Sequence, residues 1–539
     1  MERKNPLRSS FGRLRAGAAL LAAAMALSSC SAPNQRRDPN TIVAVYSADA
    51  NTLNPLFANN EPAFLFYTFI FDGLINVAGP DFHVIPWLAT SWNTTRDHLH
   101  WQVALRHGVA WSDGAPFTAR DVVFTWKTML NPAVGFPYAG QFNYIKDVVA
   151  EGPYAVRFDL SQPNVLFVTS ALGSPILPEH ILSKIPSAQM RTSTFGQHPI
   201  GTGPYVLSSW HHDDAVIFTR NPHWWHGPVN ISRIQFRIVL NNDARVDAMV
   251  DGSADIYTTI LPADYRTLRV IAPNLSYVHL PDLFSRFIIV NERVPGLGDL
   301  VVRQAMMYGW DRRAVVDGLY HGDVTLNNGI EPWALRYWHD SAVPQYPYDP
   351  QRARAMLEAG GWRLGRDGVR RRGNIRLSYT IFVENGDSVL TDVCAAFQAD
   401  MRAIGIAIAL RNLDYATFID DTNDMKYQLA LTGWGGTTDP DEYTFLDSSQ
   451  MEPVGNNDTA YRNARVDRDL VEGLRAFDKA KRRAIYDDLQ VVTGETVPVL
   501  WGYDETFGAA YSSRVRLNPK LVLPDYYIWW NVWDWKLAT

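Results

Sequence analysis

The sequence predicts an α/β fold spread over two or three lobes, and three observations carry that expectation. Helix and strand signals alternate from Thr41 onward with frequent Gly and Pro punctuation. At 539 residues the chain is too long for one ordinary core. Its 47% hydrophobic and 20% charged residues suit a folded, soluble protein, and no fixed-period repeat or low-complexity segment interrupts it.

The N-terminus departs from that composition. Arg3, Lys4, Arg8, Arg13 and Arg15 precede the apolar stretch AGAALLAAAMAL (16–27), which meets SSC. An apolar run of about a dozen residues after a basic segment is a signal peptide, too short for a lasting membrane span. LSSC resembles a bacterial lipobox, so cleavage is expected after residue 29, with lipid on Cys30 and a polar tether over 30–40. The competing reading is an ordinary signal peptide with an incidental cysteine.

Removing residues 1–29 takes away five basic and one acidic side chain, leaving 45 and 55 and a net charge of −10. That balance carries no nucleic-acid footprint. Cys394 is the only other cysteine. Neither a disulfide framework nor a cysteine-based zinc site is expected, and no cofactor is.

Further along, residues 116–132 set Thr118 and Asp121 at capping-box spacing, align Val122, Trp126 and Met129, and stop at Asn131-Pro132. The pattern predicts a helix. Residues 348–362 offer Asp349 as N-cap, Pro350 at the first helical position and Gly360-Gly361 as terminator. RLGRDGVRRRG (363–373) reads as a solvated hairpin turning at Asp367-Gly368 rather than an anion site. Val389, Val393, Ala396, Phe397 and Ile404 share a helical face closed by Gly405, and a strand begins at 406. QLALTGW alternates as a strand that ends at Trp434 and opens into GGTTDPDEYTF. Loops outside the carboxyl ends of such strands are where open α/β sheets bind ligands. His211-His212, followed by Asp213-Asp214, reads as a hairpin turn rather than a metal site.

The order of motifs resembles the family 5 extracytoplasmic solute-binding proteins of ABC importers, the oligopeptide, dipeptide and nickel-binding group. The resemblance runs collinearly through TLNPLF (52–57), IPWLATSW (85–92), LRHGVAWSDGAPFTARDVVFTW (105–126), GTGPYVL (201–207) and RNPHWW (220–225). It continues through ISRIQFRIV (231–239), VRQAMMYGWDRRAVV (302–316), YDPQRARAMLEAGGW, MRAIGIAI (401–408) and the loop after Trp434.

The resemblance implies a two-lobed clamp of the type II periplasmic-binding-protein class, enlarged by an extra subdomain. Lobe I would comprise 41–78, 200–282 and 501–539, with the subdomain at 79–199, and lobe II 283–500. It further implies a monomer outside the cytoplasmic membrane that hands a solute, a peptide first among the candidates, to an ABC permease and its ATPase subunits. In peptide-binding relatives an aspartate after the tryptophan pairs with the ligand amine. Here Trp434 matches, Gly435 follows, Thr437 stands at the aspartate position, and Asp439 lies two residues on. Either Asp439 takes the amine through a shorter loop or the amine is not read here.

The remaining candidates carry open alternatives. Asp439 could instead cap a turn, with Asp441 and Glu442 in solvent. Asn59 and Glu61 align with a cleft loop of the family, against the reading of an exposed turn. Trp501 and Tyr503 could form an aromatic floor, against simple core packing. YYIWWNVWDW (526–535) reads as a strand with Tyr527, Trp529, Trp533 and Trp535 on one face and Trp530 on the other. A hydrolase would need paired carboxylates about 5–10 Å apart across a cleft. The chain has no G-x-S-x-G, H-E-x-x-H or Gly-rich phosphate loop, so no enzyme is expected. An oligosaccharide or other bulky solute is the alternative ligand.

Overall fold

The structure is a computed structural model that describes residues 39–435, 437–451 and 455–538. The expected signal peptide and Cys30 lie outside the described residues. One eleven-stranded mixed sheet runs through the molecule. Its order is 407–413, 378–384, 429–435, 276–290, 499–511, 256–257, 41–46, 233–238, 215–220 and 205–211, with 325–326 also paired to 499–511.

Two long strands, Ser276–Val290 and Val499–Tyr511, give this sheet its two-lobed character, because each contributes to both hydrophobic cores. Val278 and Phe507 pack in the first core, whereas Phe287, Trp501 and Tyr503 pack in the second. Between those halves the pairing slips from Pro281↔Thr506 to Ser285↔Asp504. Proline cannot donate to the ladder, so a bulge at this point follows from the sequence.

The first core also takes in a four-stranded antiparallel sheet, 89–94, 100–105, 155–160 and 145–150, covered by helix Ala119–Met129. That helix has the expected capping box between Thr118 and Asp121. Helix Pro350–Ala359 starts from an Asp349 cap, and Gly361 follows it at φ +81°. Helix Ser388–Ala403 buries Leu390, Val393, Cys394, Phe397 and Met401, a face rotated slightly from the expected one, and Gly405 (φ +87°) ends it.

Two expectations need correction. The 363–373 segment does form a hairpin, but Arg370 is buried rather than solvated, donating to the Ile404 and Trp362 carbonyls at 2.8 and 2.9 Å. The C-terminal aromatic segment is not a strand. After Pro524 it winds into two 3₁₀ turns, Asp525–Trp529 and Val532–Asp534. Trp535 donates to Asn531 Oδ1 at 3.0 Å, and its ring stacks on Trp529 with centroids 4.8 Å apart. Local side-chain bonding and stacking override the two-residue alternation.

Candidate functional site

Charged side chains gather where the two long strands pass between the cores. At the register slip, Asp282, Leu283 and Phe284 lie opposite the single residue Glu505. Arg286 donates from Nε to Glu505, and its guanidinium lies 4.8 Å from the Phe284 ring centre. Burial, then repulsion from Glu505 and Glu61, pushes the Asp282 carboxyl up to about 7. Glu61, exposed at the edge of the first core, lies within electrostatic reach of Asp282.

Glu61 is the first residue of helix Glu61–Thr68, whose cap Asn60 accepts from the Ala63 N–H at 3.2 Å. It accepts a hydrogen bond from Tyr46, the last residue of the first strand. This puts Glu61 at the carboxyl end of a parallel-paired strand, the side on which open sheets bind ligands. Asn59 is exposed beside it, with its backbone N–H on Asn51 Oδ1 at 3.2 Å. From the second core, Glu384 ends its strand within electrostatic reach of Arg286, and burial raises its carboxyl.

The loop after Trp434 forms the neighbouring wall. Strand Leu429–Gly435 pairs with 284–290, setting Trp434 opposite Ser285. The half-buried indole stacks on Phe445, centroids 5.1 Å apart at 16°. Gly435 has no room for a side chain, since a Cβ there would lie 2.0 Å from the Leu283 carbonyl oxygen. Thr437 is exposed. Thr438 borders a cavity of about 200 Å³ shared with Tyr67, Thr169, Tyr527 and Trp530.

Asp439 is not an open acceptor. Arg482 Nη1 donates to its Oδ1 at 2.7 Å, and Arg482 Nη2 donates to the Pro440 carbonyl at 2.8 Å. Burial pushes the Asp439 carboxyl up and Arg482 draws it part of the way back. Asp441 and Glu442, expected in solvent, are respectively half-buried and 3% exposed. The loop folds inward around Arg482, and burial raises Asp441 to about 6. Trp501 and Tyr503 are 1% and 0% exposed in the second core, and the Tyr503 hydroxyl bonds that of Tyr320 at 2.8 Å. They support the cleft from behind.

The turn at 211–214 is the expected hairpin, with Asp213 at φ +59° and His212 Nδ1 3.2 Å from Asp49. Asp282, Arg286 and Glu505 went unremarked in the sequence. Their signal was present: a proline and charged residues inside otherwise apolar strands mark a bulge with something to face.

A two-lobed α/β fold with charged side chains where its long strands pass between the cores is the architecture of a solute-binding protein. The model of the bacterial extracellular solute-binding proteins, family 5, matches residues 83–455, and the chain belongs to that family. The oligopeptide-binding protein AppA of Bacillus subtilis is 26% identical over 444 residues, 80% of this chain and 81% of the relative. Its solved structure, in complex with a nonapeptide, matches with TM-score 0.80 at 24% identity over 93% of this chain and 99% of that one. NikZ from Campylobacter jejuni, solved in complex with Ni(L-His), matches with TM-score 0.80 at 25% identity over 92% and 99%. The glutathione-binding protein GsiB of Salmonella paratyphi A is 24% identical over 512 residues, 93% of this chain and 96% of the relative.

Proposed function

We propose that this protein captures a peptide-like solute outside the cytoplasmic membrane and delivers it to an ABC permease, performing no chemistry of its own. The family membership over residues 83–455 carries this reading, and the peptide-binding relatives favour peptide within it. A site that presents both carboxylates and an arginine suits a zwitterionic solute, since each end finds an opposite charge there. Glu61, Trp434 and Thr437 are the expected residues that face the solute, joined by Asp282, Arg286 and Glu505. In this reading Asp439, Gly435, Trp501 and Tyr503 shape the wall, and Asn59 borders the entrance. In this reading the lobes divide near the boundaries expected from the sequence, except that Trp501 and Tyr503, set in lobe I there, pack in the second core, and lipid on Cys30 tethers the monomer to the membrane.

Native mass spectrometry of the purified protein tests the ligand class, because a closed clamp retains its solute. Peptide masses released on denaturation support the reading. Retention of an oligosaccharide, or turnover of a substrate panel, would replace it.

A further inference from the structure

The hairpin segment 363–376 sets six arginines and one aspartate into fourteen residues of a chain that is acidic overall. It forms a small three-stranded antiparallel sheet, 363–364, 370–372 and 375–376. Arg363 lies opposite Arg371, and Arg371 opposite Arg376, so the three side chains stand in one row on one face. All three are exposed. Like charges directly opposite each other in a sheet repel, and strands about 4.8 Å apart hold the whole row within about 10 Å.

The sheet itself does not neutralise the row. Asp367 Oδ2 accepts from Arg371 at 2.7 Å and from Arg376 at 3.2 Å, so one carboxylate serves two guanidiniums. Arg363 donates to a backbone carbonyl, that of Glu358, at 3.2 Å. The other nearby acids serve arginines outside the row: Glu358 lies 3.4 Å from Arg370, and Asp299 lies 2.8 Å from Arg372. Arg366 adds a further exposed charge at the turn.

The opposite face fixes the sheet to the body. Arg370 donates to the Ile404 and Trp362 carbonyls. A Cβ on Gly405 would meet Arg370 Cγ at 2.9 Å and Leu364 Cδ1 at 3.0 Å, so both of those side chains turn inward and the arginine row turns outward. Leu364, on the edge strand, is still 58% exposed. The hairpin leads into the start of strand Ser378–Glu384, the end away from Glu384 and the charged strand crossing.

We propose that the row of Arg363, Arg371 and Arg376 docks on the anionic phosphate headgroups of a lipid bilayer. Guanidinium forks match phosphate oxygens, and closely spaced headgroups supply the counter-charges that the sheet lacks. An open, outward row suits a surface of many phosphates better than one small anion, and Leu364 brings an apolar side chain to the rim of the contact. The rest of the chain is acidic and is repelled by such a surface, so the row decides which side turns toward it. A contact at this end leaves the strand crossing open to solute. It complements the lipid tether of the proposed function and does not depend on it.

The test is vesicle flotation of the chain from Ser31 onward, which keeps every described residue and carries no lipid. Vesicles of phosphatidylcholine alone are compared with vesicles that also contain phosphatidylglycerol. Binding is expected to the anionic vesicles only and is expected to fall as salt is raised. The triple variant Arg363→Gln, Arg371→Gln, Arg376→Gln should bind about a hundredfold more weakly, with a melting temperature unchanged or raised because the repulsion in the row is gone. A control triple variant, Arg96→Gln, Arg313→Gln, Arg462→Gln, removes the same charge from scattered exposed positions and should keep most of the binding. On the wild type alone, anionic vesicles should protect Arg363, Arg371 and Arg376 from dicarbonyl modification and leave Arg462 reactive. Absence of binding to the anionic vesicles, equal losses in the two triple variants, or an unprotected row overturns the proposal. Binding of tripolyphosphate, read by calorimetry, by a protein that does not float with the vesicles also overturns it and makes the row a site for a soluble phosphate. Row-dependent flotation supports the proposal even where Cys30 proves to carry no lipid, an outcome that removes the tether alone.

Discussion

Arg482 and Asp439 form a closed ion pair at 2.7 Å, with a guanidinium that is 4% exposed lying 4.8 Å from the Trp338 ring centre and 5.2 Å from that of Tyr486. The pair converts the loop after Trp434 from a candidate amine reader into a braced wall. Removing one partner strands the other in a low-dielectric interior. Asp439→Asn is therefore expected to lower stability by about 3 kcal/mol, measured by chemical denaturation. Acetylating the amino terminus of a bound peptide should carry the same affinity penalty in wild type and variant, which calorimetry on the four combinations reads directly. A penalty confined to the wild type would return Asp439 to the ligand.

Gly435 sits against the backbone of the neighbouring long strand. A methyl group there meets the Leu283 carbonyl oxygen at 2.0 Å, an atom fixed in the long strand. Gly435→Ala should cost about 1–3 kcal/mol as an overpacked site, and should displace Trp434 from Phe445. A lower melting temperature together with altered tryptophan fluorescence is the expected result. Unchanged values of both would show that the strand end shifts freely.

Much of the fold was legible because local and tertiary preferences agree. Thr118 and Asp121 cap the helix that their spacing announces, and Pro350 and Gly361 bracket the next. The C-terminal aromatics were misread because alternation describes a strand only when the backbone is free to extend, and the turns after Pro524 prevent that. The site was harder to read. Asp439 in a Gly-rich loop looks open in one dimension, since its partner Arg482 lies 43 residues away on another helix. Glu442 was placed in solvent for the same reason: nothing in DPDE says that the loop turns inward around Arg482.

Asp504 gives a pH signature of its own. It is 0% exposed and accepts from Ser285 Oγ, Asn327 Nδ2 and the Trp333 N–H, yet burial outweighs these bonds and pushes it up to about 7. A folded-state value above the unfolded one gives a contribution that is complete below about pH 4 and lost as pH rises toward 7. Asp504→Asn should flatten that part of the fall in stability with pH. Denaturation midpoints across the window measure it, and a wild-type slope retained in the variant would assign the titration to another group.

The proposed attachment to the membrane runs through Cys30, the single cysteine in the lipobox-like segment. Cys30→Ala should release the protein into the soluble fraction of the envelope with its folding unchanged, since Cys394 is buried and takes no part. Retention of the variant on membranes through a high-salt wash, which screens surface charge, would place the anchor elsewhere.

The last prediction concerns where the solute's cationic end rests. With Asp439 closed by Arg482 and Thr437 unable to pair ionically, an ammonium is expected among the carboxyl groups at the strand crossing. Asp282 is the informative one, because repulsion from Glu505 and Glu61 adds to burial in holding it near 7. A cation placed among the three favours the ionised form, so binding should release a proton and strengthen as pH rises through 7. Calorimetry in two buffers of different ionisation enthalpy measures that proton. Asp282→Asn should abolish its release and weaken an unmodified peptide by about 2–5 kcal/mol, while an amino-acetylated peptide loses little further. Glu61→Gln should weaken binding in the same direction. Its partner Tyr46 belongs to the first core, so if both lobes grip the ammonium the two substitutions will couple rather than add. Proton release that persists in Asp282→Asn would move the ammonium away from the crossing.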